Sequence, residues 1–359
     1  MSGRDTGGFE GVRKGAVTPI REAPRALRGL TRPLILGLLV VTAGVLTWWA
    51  VGRATADSRR LTIHGEAPAD TAWAPGARIR ILTWNVAHAR GPLREGWFKN
   101  WKGGGRQGAL ERLAAMGRIL RDADAHLVVL NEVDFDAQWS GGLDQAAVLA
   151  RSAGYPAWVE QRNYDLDLPF GDYAFGNAIL SRLPLLQADF LELPPHSSLE
   201  AWILGAKAGA MVRVGPGGAP LSLVAVHLEP RSRSTRIRAL PVLEDAARRH
   251  PGVTVLAGDF NASPGGWPPA DEADFREGTI LDSLVSRGWR SPRLRRPPGI
   301  RKMTFPTRHP RRALDWILVR GPVRIVEARV LTEGRELSDH APVLSVVQLP
   351  PYRDHPGGN

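Results

Sequence analysis

The most conspicuous hydrophobic run extends from Leu34 to Val51, uncharged and mostly apolar, with Arg32 before it and Arg53 after it. As a helix it would cover roughly 27 Å, near the hydrocarbon thickness of a bilayer. No amphipathic stripe interrupts it, and Trp48 and Trp49 stand where an interfacial aromatic belt belongs, so the pattern predicts a membrane helix rather than a buried core helix. Arg13, Lys14, Arg21, Arg25, Arg28 and Arg32 precede it. The positive-inside rule then keeps the N-terminus cytoplasmic and sends the remainder across, as a single-pass extracytoplasmic protein. The triplet Ala54-Thr55-Ala56 offers an alternative, cleavage after Ala56 and secretion. The long basic segment and the long apolar core favour the anchor.

Beyond this segment the pattern changes to short β-branched or apolar runs alternating with amphipathic stretches, the mark of an α/β domain. Strands are expected over Arg78–Val86, Ala125–Asn131, Gly176–Ser181, Ala208–Val214, Leu221–His227, Val253–Gly258, Leu314–Val319 and Pro342–Val347. Helical periodicity covers roughly Gln107–Asp122, Gly142–Ala153, Ser232–His250 and Asp271–Arg287. The expected organisation is a basic cytoplasmic segment (1–33), a transmembrane helix or signal anchor (34–52), a linker (53–76), one catalytic domain (77–350) and a tail (351–359). No internal repeat is visible.

Composition narrows the chemistry. The chain has 359 residues, 43% of them hydrophobic, which suits a folded domain with a substantial core. It contains no cysteine, which excludes disulfides, thiolate metal sites and a cysteine nucleophile. The formal charge of +11 suggests anionic partners, but residues 1–60 hold ten Arg/Lys against four Asp/Glu, so more than half of it belongs to the N-terminal segment.

The candidate chemistry lies at strand ends. Asn85 ends "ILTWNV", Glu132 ends "LVVLNEV", His227 ends "LSLVAVHL", and Asp259 and Asn261 follow "VTVLAGDFN". Asp315 opens "DWILV", and Asp339 and His340 lie in "LSDHAPV". Singly, each could be a turn former or a helix cap. Set against apolar strands, however, such groups are costly unless partnered, and in open α/β sheets strand ends are where sites are built.

In order along the chain, "TWNV", "NEV", "GNAILSRLP", "HL", "GDFNASP", "TFP", "LDWILV" and "SDHAPV" resemble the motif series of the endonuclease/exonuclease/phosphatase superfamily, over about residues 78–348. "GDFN" followed by "SDHAPV" is the specific part. The resemblance implies a four-layer α/β sandwich of two packed mixed sheets flanked by helices, and a metal-dependent phosphoric ester hydrolase acting on phosphodiesters, most like a nuclease. It leaves a sphingomyelinase-like lipid phosphodiesterase or a phosphomonoesterase as the alternative, with a catalytically retired binding module behind both. It further implies Mg2+ or Mn2+ held by Asn85, Glu132 and Asp339, hard oxygen donors suited to such ions. Asp259 is expected to deprotonate the attacking water and Asn261 to hold it. His340 with Asp315 would donate to a phosphate oxygen, and His227 to phosphate or leaving group. Asn177 is expected either to line the phosphate pocket or to form a turn.

Two loops bear on the substrate. Residues 290–312 carry nine Arg/Lys and no acid, a positive rim suited to a nucleic-acid backbone or an anionic bilayer. Arg231, Arg233, Arg236 and Arg238 open the helix after His227, with Arg231 and Arg236 the candidates to face phosphate. Residues 91–108 mix Trp97, Phe98 and Trp101 with cations and lack the Gly-Lys-Ser/Thr ending of a P-loop. No obligate protein partner is evident.

Overall fold

The structure is a computed structural model describing residues 25–55, 61–68, 76–92, 105–168, 171–204, 207–215, 220–268, 278–295, 299 and 302–350. The chain divides into two compact units, Met1–Trp48 and Trp49–Asn359. What is described of the first belongs to α1 (Arg25–Thr55), a helix longer at both ends than the apolar run predicted. Its stretch Arg32–Val51 is long and apolar enough to cross a membrane, with none of it buried. A signal sequence has the same character. Ala56, the last residue of the cleavage triplet, lies outside the described residues.

The second unit is built on two mixed sheets. The first runs in the order β1 (Leu61–Gly65), β5 (Ala157–Leu168), β6 (Gly171–Ser181), β3 (Leu127–Ala137), β2 (Arg78–Asn85), β13 (Val343–Gln348), β12 (Arg324–Val330), and the short β4 (Leu143–Asp144) pairs with β3. The second runs β11 (Asp315–Arg320), β10 (Val253–Asp259), β9 (Leu221–His227), β8 (Ala208–Val214), β7 (Leu185–Glu192).

Alternation along the central strands explains the layers. In β2, Ile79 and Ile81 meet Val212, Leu223, Val255 and Ile317 of the other sheet. Their neighbours Leu82 and Trp84 point the other way, into Leu113, Met116 and Leu120 of α2 (Gly105–Asp122) and Leu149 of α3 (Gln145–Ala153). Beyond the second sheet, Leu256, Trp316 and Leu318 pack under Leu243 of α6 (Leu240–Arg249) and Leu281 and Leu284 of α7 (Ile280–Ser286). The result is the four-layer sandwich expected. Because both faces of each central strand are buried, a one-residue slip would exchange the two cores, and register is strongly specified.

Apart from the two-residue β4, which falls in a stretch expected to be helical, the strands without a sequence prediction are β1, β5, β7 and β12. Three of them are sheet edges, where one side of the ladder is unpaired and the apolar pattern is relaxed; β12 is mostly exposed. The fourth, β5, hides its pattern behind polar residues such as Gln161 and Asn163, which are nevertheless buried. The helix expected over Ser232–His250 is split into α5 (Arg233–Arg238) and α6, because Pro241 in the first turn of α6 has no N–H to continue α5. The helix expected from Gly142 begins at Gln145, where Asp144 accepts from the Ala147 N–H as its cap. Of the stretch Asp271–Arg287, residues 271–277 lie outside the described residues, and α7 begins after Thr279 and Asp282 form a capping box. One further helix, α4 (Ser198–Leu204), is not predicted by the periodicity of the chain.

Two parallel pairs fix where chemistry can occur. In β2–β3, Asn85 lies opposite Asn131, and in β9–β10, His227 lies opposite Asp259. Antiparallel β11 starts at this same edge, with Asp315 opposite Asp259. Strand ends from both sheets therefore open on one face.

Candidate active site

Asn131, fully buried, ties the two sheets together under this face. Its Oδ1 accepts from the Asp259 N–H at 2.9 Å, and its Nδ2 donates to Asn177 Oδ1 at 2.8 Å and to the Val226 carbonyl at 3.1 Å. The β3–β6 register shifts between Asn131 and Val133, and Glu132 takes the left-handed conformation (φ 54°). This bulge takes Glu132 out of the ladder, and its carboxylate stands partly exposed, 3.8 Å from His227 and 3.5 Å from His88.

Asn85 Nδ2 donates to Glu132 Oε1 at 3.1 Å and to Asp259 Oδ2 at 3.2 Å. Its Oδ1 accepts from the Ala87 N–H at 3.0 Å, which fixes the amide orientation because only the oxygen can accept. The oxygen expected to face a metal thus already accepts one hydrogen bond. The residue spaces two carboxylates, and only the second lone pair of its oxygen could also meet an ion.

The half of the site around His340 is compact. His340 Nδ1 hydrogen-bonds Asp315 Oδ2 at 2.9 Å, and His340 Nε2 lies 3.8 Å from Asp259 Oδ2. Burial alone would push the imidazole pKa down, but Asp315, Asp259 and Asp339 outweigh it and raise it well above its ordinary value. Burial pushes the Asp259 carboxyl up to about 7, with Asp315 adding to the rise and His340 opposing it. Asn261, itself left-handed (φ 48°), donates its backbone N–H to Asp259 Oδ1 at 2.8 Å and one side-chain N–H to the Leu228 carbonyl at 3.0 Å. Thr304 Oγ1 accepts from the backbone N–H groups of Leu314 and Asp315, and Arg293 donates to the Asp315 carbonyl.

On the other side, Glu132 is held down at about 2: burial opposes ionisation, but His88, His227, Lys207 and the Asn85 hydrogen bond overcome it. Asp339 is pushed up to about 6 by burial, countered by His340 and reinforced by the charge of Glu132. His227 is moved well below its ordinary pKa by burial and then by Lys207, whose Nζ lies 2.9 Å from His227 Nε2. Lys207 has no lone pair when charged, so the neutral ring accepts at Nε2 and carries its hydrogen on Nδ1. Burial lowers the Lys207 pKa as well, with Glu132 and Asp259 opposing the shift.

Of the three expected phosphate contacts, Asn177 and Arg236 are placed elsewhere, whereas Arg231 lines a cavity together with Lys207. Asn177 lies inside β6, fully buried, donating to Gln161 Oε1 at 2.6 Å and the Ala208 carbonyl at 3.0 Å. It neither lines the pocket nor forms a turn; it braces Asn131. Arg236 is buried and donates to the carbonyls of Glu229 and Pro230 at 2.8 and 3.0 Å, so it holds the loop after β9. Arg231 is half exposed but paired with Glu229 at 2.8 Å and with Glu200. In the arginine-rich loop, Arg290 and Arg293 likewise bind backbone carbonyls. Lys302, Arg308 and Arg311 are exposed on the segment whose Phe305 ring lies 4.7 Å from His340 and whose Thr307 N–H bonds the Asp339 carbonyl. Arg296, Arg301 and the aromatic residues Trp97, Phe98 and Trp101 lie outside the described residues.

Sequence reasoning missed Asn131, Lys207, His88 and Asp134. Asn131 and Asp134 flank Glu132 in "NEVD", and His88 follows Asn85 by three in "NVAH", so proximity to the named motifs was the available signal.

The donor set fits a hard divalent cation. Glu132 is ionised and partly open, and Asp339 suffers from its neighbouring charge, a pair of carboxylates that a cation would relieve. Asp259, Asp315 and His340 also offer ligand atoms within 4.8 Å of one another, but Asp315 and His340 already engage each other. A cavity of about 210 Å³ lined by Phe175, Lys207, Glu229 and Arg231 adjoins the His227 corner, whereas a cavity of about 600 Å³ around Trp289 and Leu281 includes none of the strand-end groups.

The family model described as "Endonuclease/Exonuclease/phosphatase family" matches residues 82–340. Among solved structures, the chain is similar to an endonuclease/exonuclease/phosphatase from Beutenbergia cavernae DSM 12333, at 21% identity and TM-score 0.53 over 76% of this chain and 72% of that one. It is similar to another from Bacteroides vulgatus, at 14% identity and TM-score 0.53 over 76% and 99%. A family protein from Leptotrichia buccalis C-1013-b matches at 15% identity and TM-score 0.52 over 74% and 98%. No curated protein matches the chain.

Proposed function

The chain belongs to the endonuclease/exonuclease/phosphatase family and is a phosphoric ester hydrolase, and on that premise we propose that it cleaves phosphodiesters by in-line attack of water, as a nuclease-like enzyme dependent on Mg2+ or Mn2+. The observation that carries this reading is the division of the strand-end groups into two chemically distinct halves. Asp259, pushed up to about 7, is a base matched to neutral pH. Glu132, held at about 2, is a permanent carboxylate.

Asp259 takes a proton from the water whose oxygen forms the new bond to phosphorus, while the bond from phosphorus to the leaving oxygen breaks. His340, kept cationic by Asp315, donates to a non-bridging phosphate oxygen as charge develops there. Lys207 beside His227 supplies a second positive group toward the phosphate or the leaving oxygen. Glu132 and Asp339 would hold the divalent ion, with Asn85 spacing Glu132 from Asp259. When bound, the ion supplies Lewis-acid polarisation of the phosphoryl group.

Exposed Lys302, Arg308 and Arg311, on the segment whose Phe305 packs on His340, favour a polyanionic substrate, and α1 acts as the single-pass anchor of an extracytoplasmic domain. Turnover of single-stranded DNA, duplex DNA, RNA, sphingomyelin vesicles and phosphomonoesters, measured side by side with Mg2+ or Mn2+, tests the substrate assignment. A nucleic acid cleaved fastest, with binding that falls steeply with salt, is expected. Preference for sphingomyelin or for monoesters, with flat salt dependence, would overturn it.

A further inference from the structure

His88 stands beside the metal carboxylate in an arrangement that the general-base mechanism does not use. Ala87, His88 and Ala89 all have positive φ, at 48°, 54° and 51°, so the chain leaves β2 through a left-handed turn of three non-glycine residues. That turn carries the His88 ring back over β3, where Nδ1 lies 2.5 Å from Asp134 Oδ1 and Nε2 lies 3.5 Å from Glu132 Oε2. Asp134 is wholly buried, and its other oxygen accepts from Trp139 Nε1 at 2.8 Å and Gln145 Nε2 at 3.4 Å. Gln145 also donates to the His88 carbonyl at 3.0 Å, and Phe175 and Trp139 pack edge-on against the imidazole. The ring is thus fixed in rotation: Asp134 holds Nδ1–H and Nε2 faces Glu132, so that an ion bound there would take the place of the proton that these carboxylates favour on the ring.

A buried carboxylate that orients one ring nitrogen while the other faces a second, partly open carboxylate is how proteins prepare a histidine to bind a metal ion. Two ligands about 2.1 Å from an ion and at right angles to one another are roughly 3 Å apart, so a small closing movement lets one ion meet Nε2 and Oε2. His227 lies at a similar distance from Glu132, but its Nε2 already accepts from Lys207.

We propose that His88 Nε2 and Glu132 together ligate the divalent ion, giving a mixed nitrogen–oxygen centre that favours a first-row transition ion such as Mn2+ over Mg2+. The inference rests on the metal-dependent reading above and adds to it the identity of a ligand and a metal preference. Imidazole is a poor partner for Mg2+ and a good one for transition ions, so one added nitrogen shifts the choice without any change in the carboxylates.

The test is Mn2+ binding by the full-length chain in detergent, followed by titration with competing Mg2+ and by pulsed electron paramagnetic resonance. Wild type should bind Mn2+ at least about tenfold more tightly than Mg2+. Its spectrum should show directly bound nitrogen, with the coupling changing on uniform 15N-histidine labelling. In His88→Asn that nitrogen signal should vanish and Mn2+ affinity fall about tenfold or more, with Mg2+ affinity little altered. Asp134→Asn, which leaves the ring in place but loosens it, should weaken Mn2+ binding in the same direction. Mn2+ bound without nitrogen coupling in wild type, or with coupling that persists in His88→Asn, overturns the proposal while leaving metal dependence standing. Absence of binding by either ion would instead remove the metal reading itself.

Discussion

The site contains two carboxylate–imidazole pairs. Asp315 and His340 are 2.9 Å apart, both buried, and face Asp259. Asp134 and His88 are 2.5 Å apart and face Glu132. Each pair directs an imidazole at a third carboxylate, yet the targets differ: Asp259 is raised to about 7, whereas Glu132 is held at about 2. The difference comes from surroundings. Asp259 is enclosed with Asp315 close by, and its burial outweighs the attraction of His340. Glu132 is partly open and has His88, His227 and Lys207 around it. On the proposed mechanism, the same pairing would serve proton transfer on one side and a permanent negative charge able to hold a cation on the other.

Substitutions can break this contrast. The largest effect should come from Asp259→Asn and His340→Ala, each lowering kcat by at least about a hundredfold, the scale for general-base and charge-stabilising groups. Steady-state kinetics on a phosphodiester would check this, and near-wild-type rates would mean that the proton-handling half is misassigned. The pH profile should be nearly as informative. Asp259 must be unprotonated to accept a proton, so kcat/KM should rise with pH along an acid limb whose midpoint is near 7 or lower when a cation is bound, and Asp259→Asn should abolish that limb.

Stability should separate arginines that build the fold from those that face solvent. Arg236→Ala removes a buried donor to two carbonyls and should cost about 1–3 kcal/mol, read from denaturant unfolding. Arg308→Ala with Arg311→Ala should leave stability nearly unchanged but flatten the salt dependence of nucleic-acid binding, by up to about one unit of log–log slope for each phosphate that is no longer neutralised. A smaller effect is expected in the metal-free protein. Asp259 and Asp339 have raised folded-state pKa values, so the stability they contribute is complete below the ordinary carboxylate range and is lost as pH rises through about 6 to 7. Thermal stability without metal should therefore fall between about pH 4 and 7 by way of these groups, and Mn2+ should offset the loss; a flat profile would count against the crowding of carboxylates.

How much of this was legible in the sequence follows the same division. The strands β2, β3, β9, β10, β13 and the edge strand β11 announce themselves because both faces are buried, while the edge strands β1, β7 and β12 are less enclosed and their apolar pattern is relaxed. Asp259, Asp315 and His340 stand at ends of those strands, so their convergence could be anticipated. His88 could not be found this way. It depends on three consecutive left-handed residues, a conformation costing of order 1–3 kcal/mol per residue, which no periodicity reveals. Asn177 misled for the opposite reason: its position in "GNAILSRLP" suggested a strand start, but β6 begins at Gly171 and the amide is consumed inside the sheet. Arg236 shows that charge alone does not locate a substrate contact, because two backbone carbonyls already claim it.

The most direct test of the central claim is hydrolysis of bis-p-nitrophenyl phosphate by the purified full-length chain, with Mg2+ or Mn2+ and again with excess EDTA. Turnover that depends on the added ion and falls to background in the chelator is the expected result. Equal turnover with and without EDTA would contradict it, leaving the Glu132 half of the site without its cation.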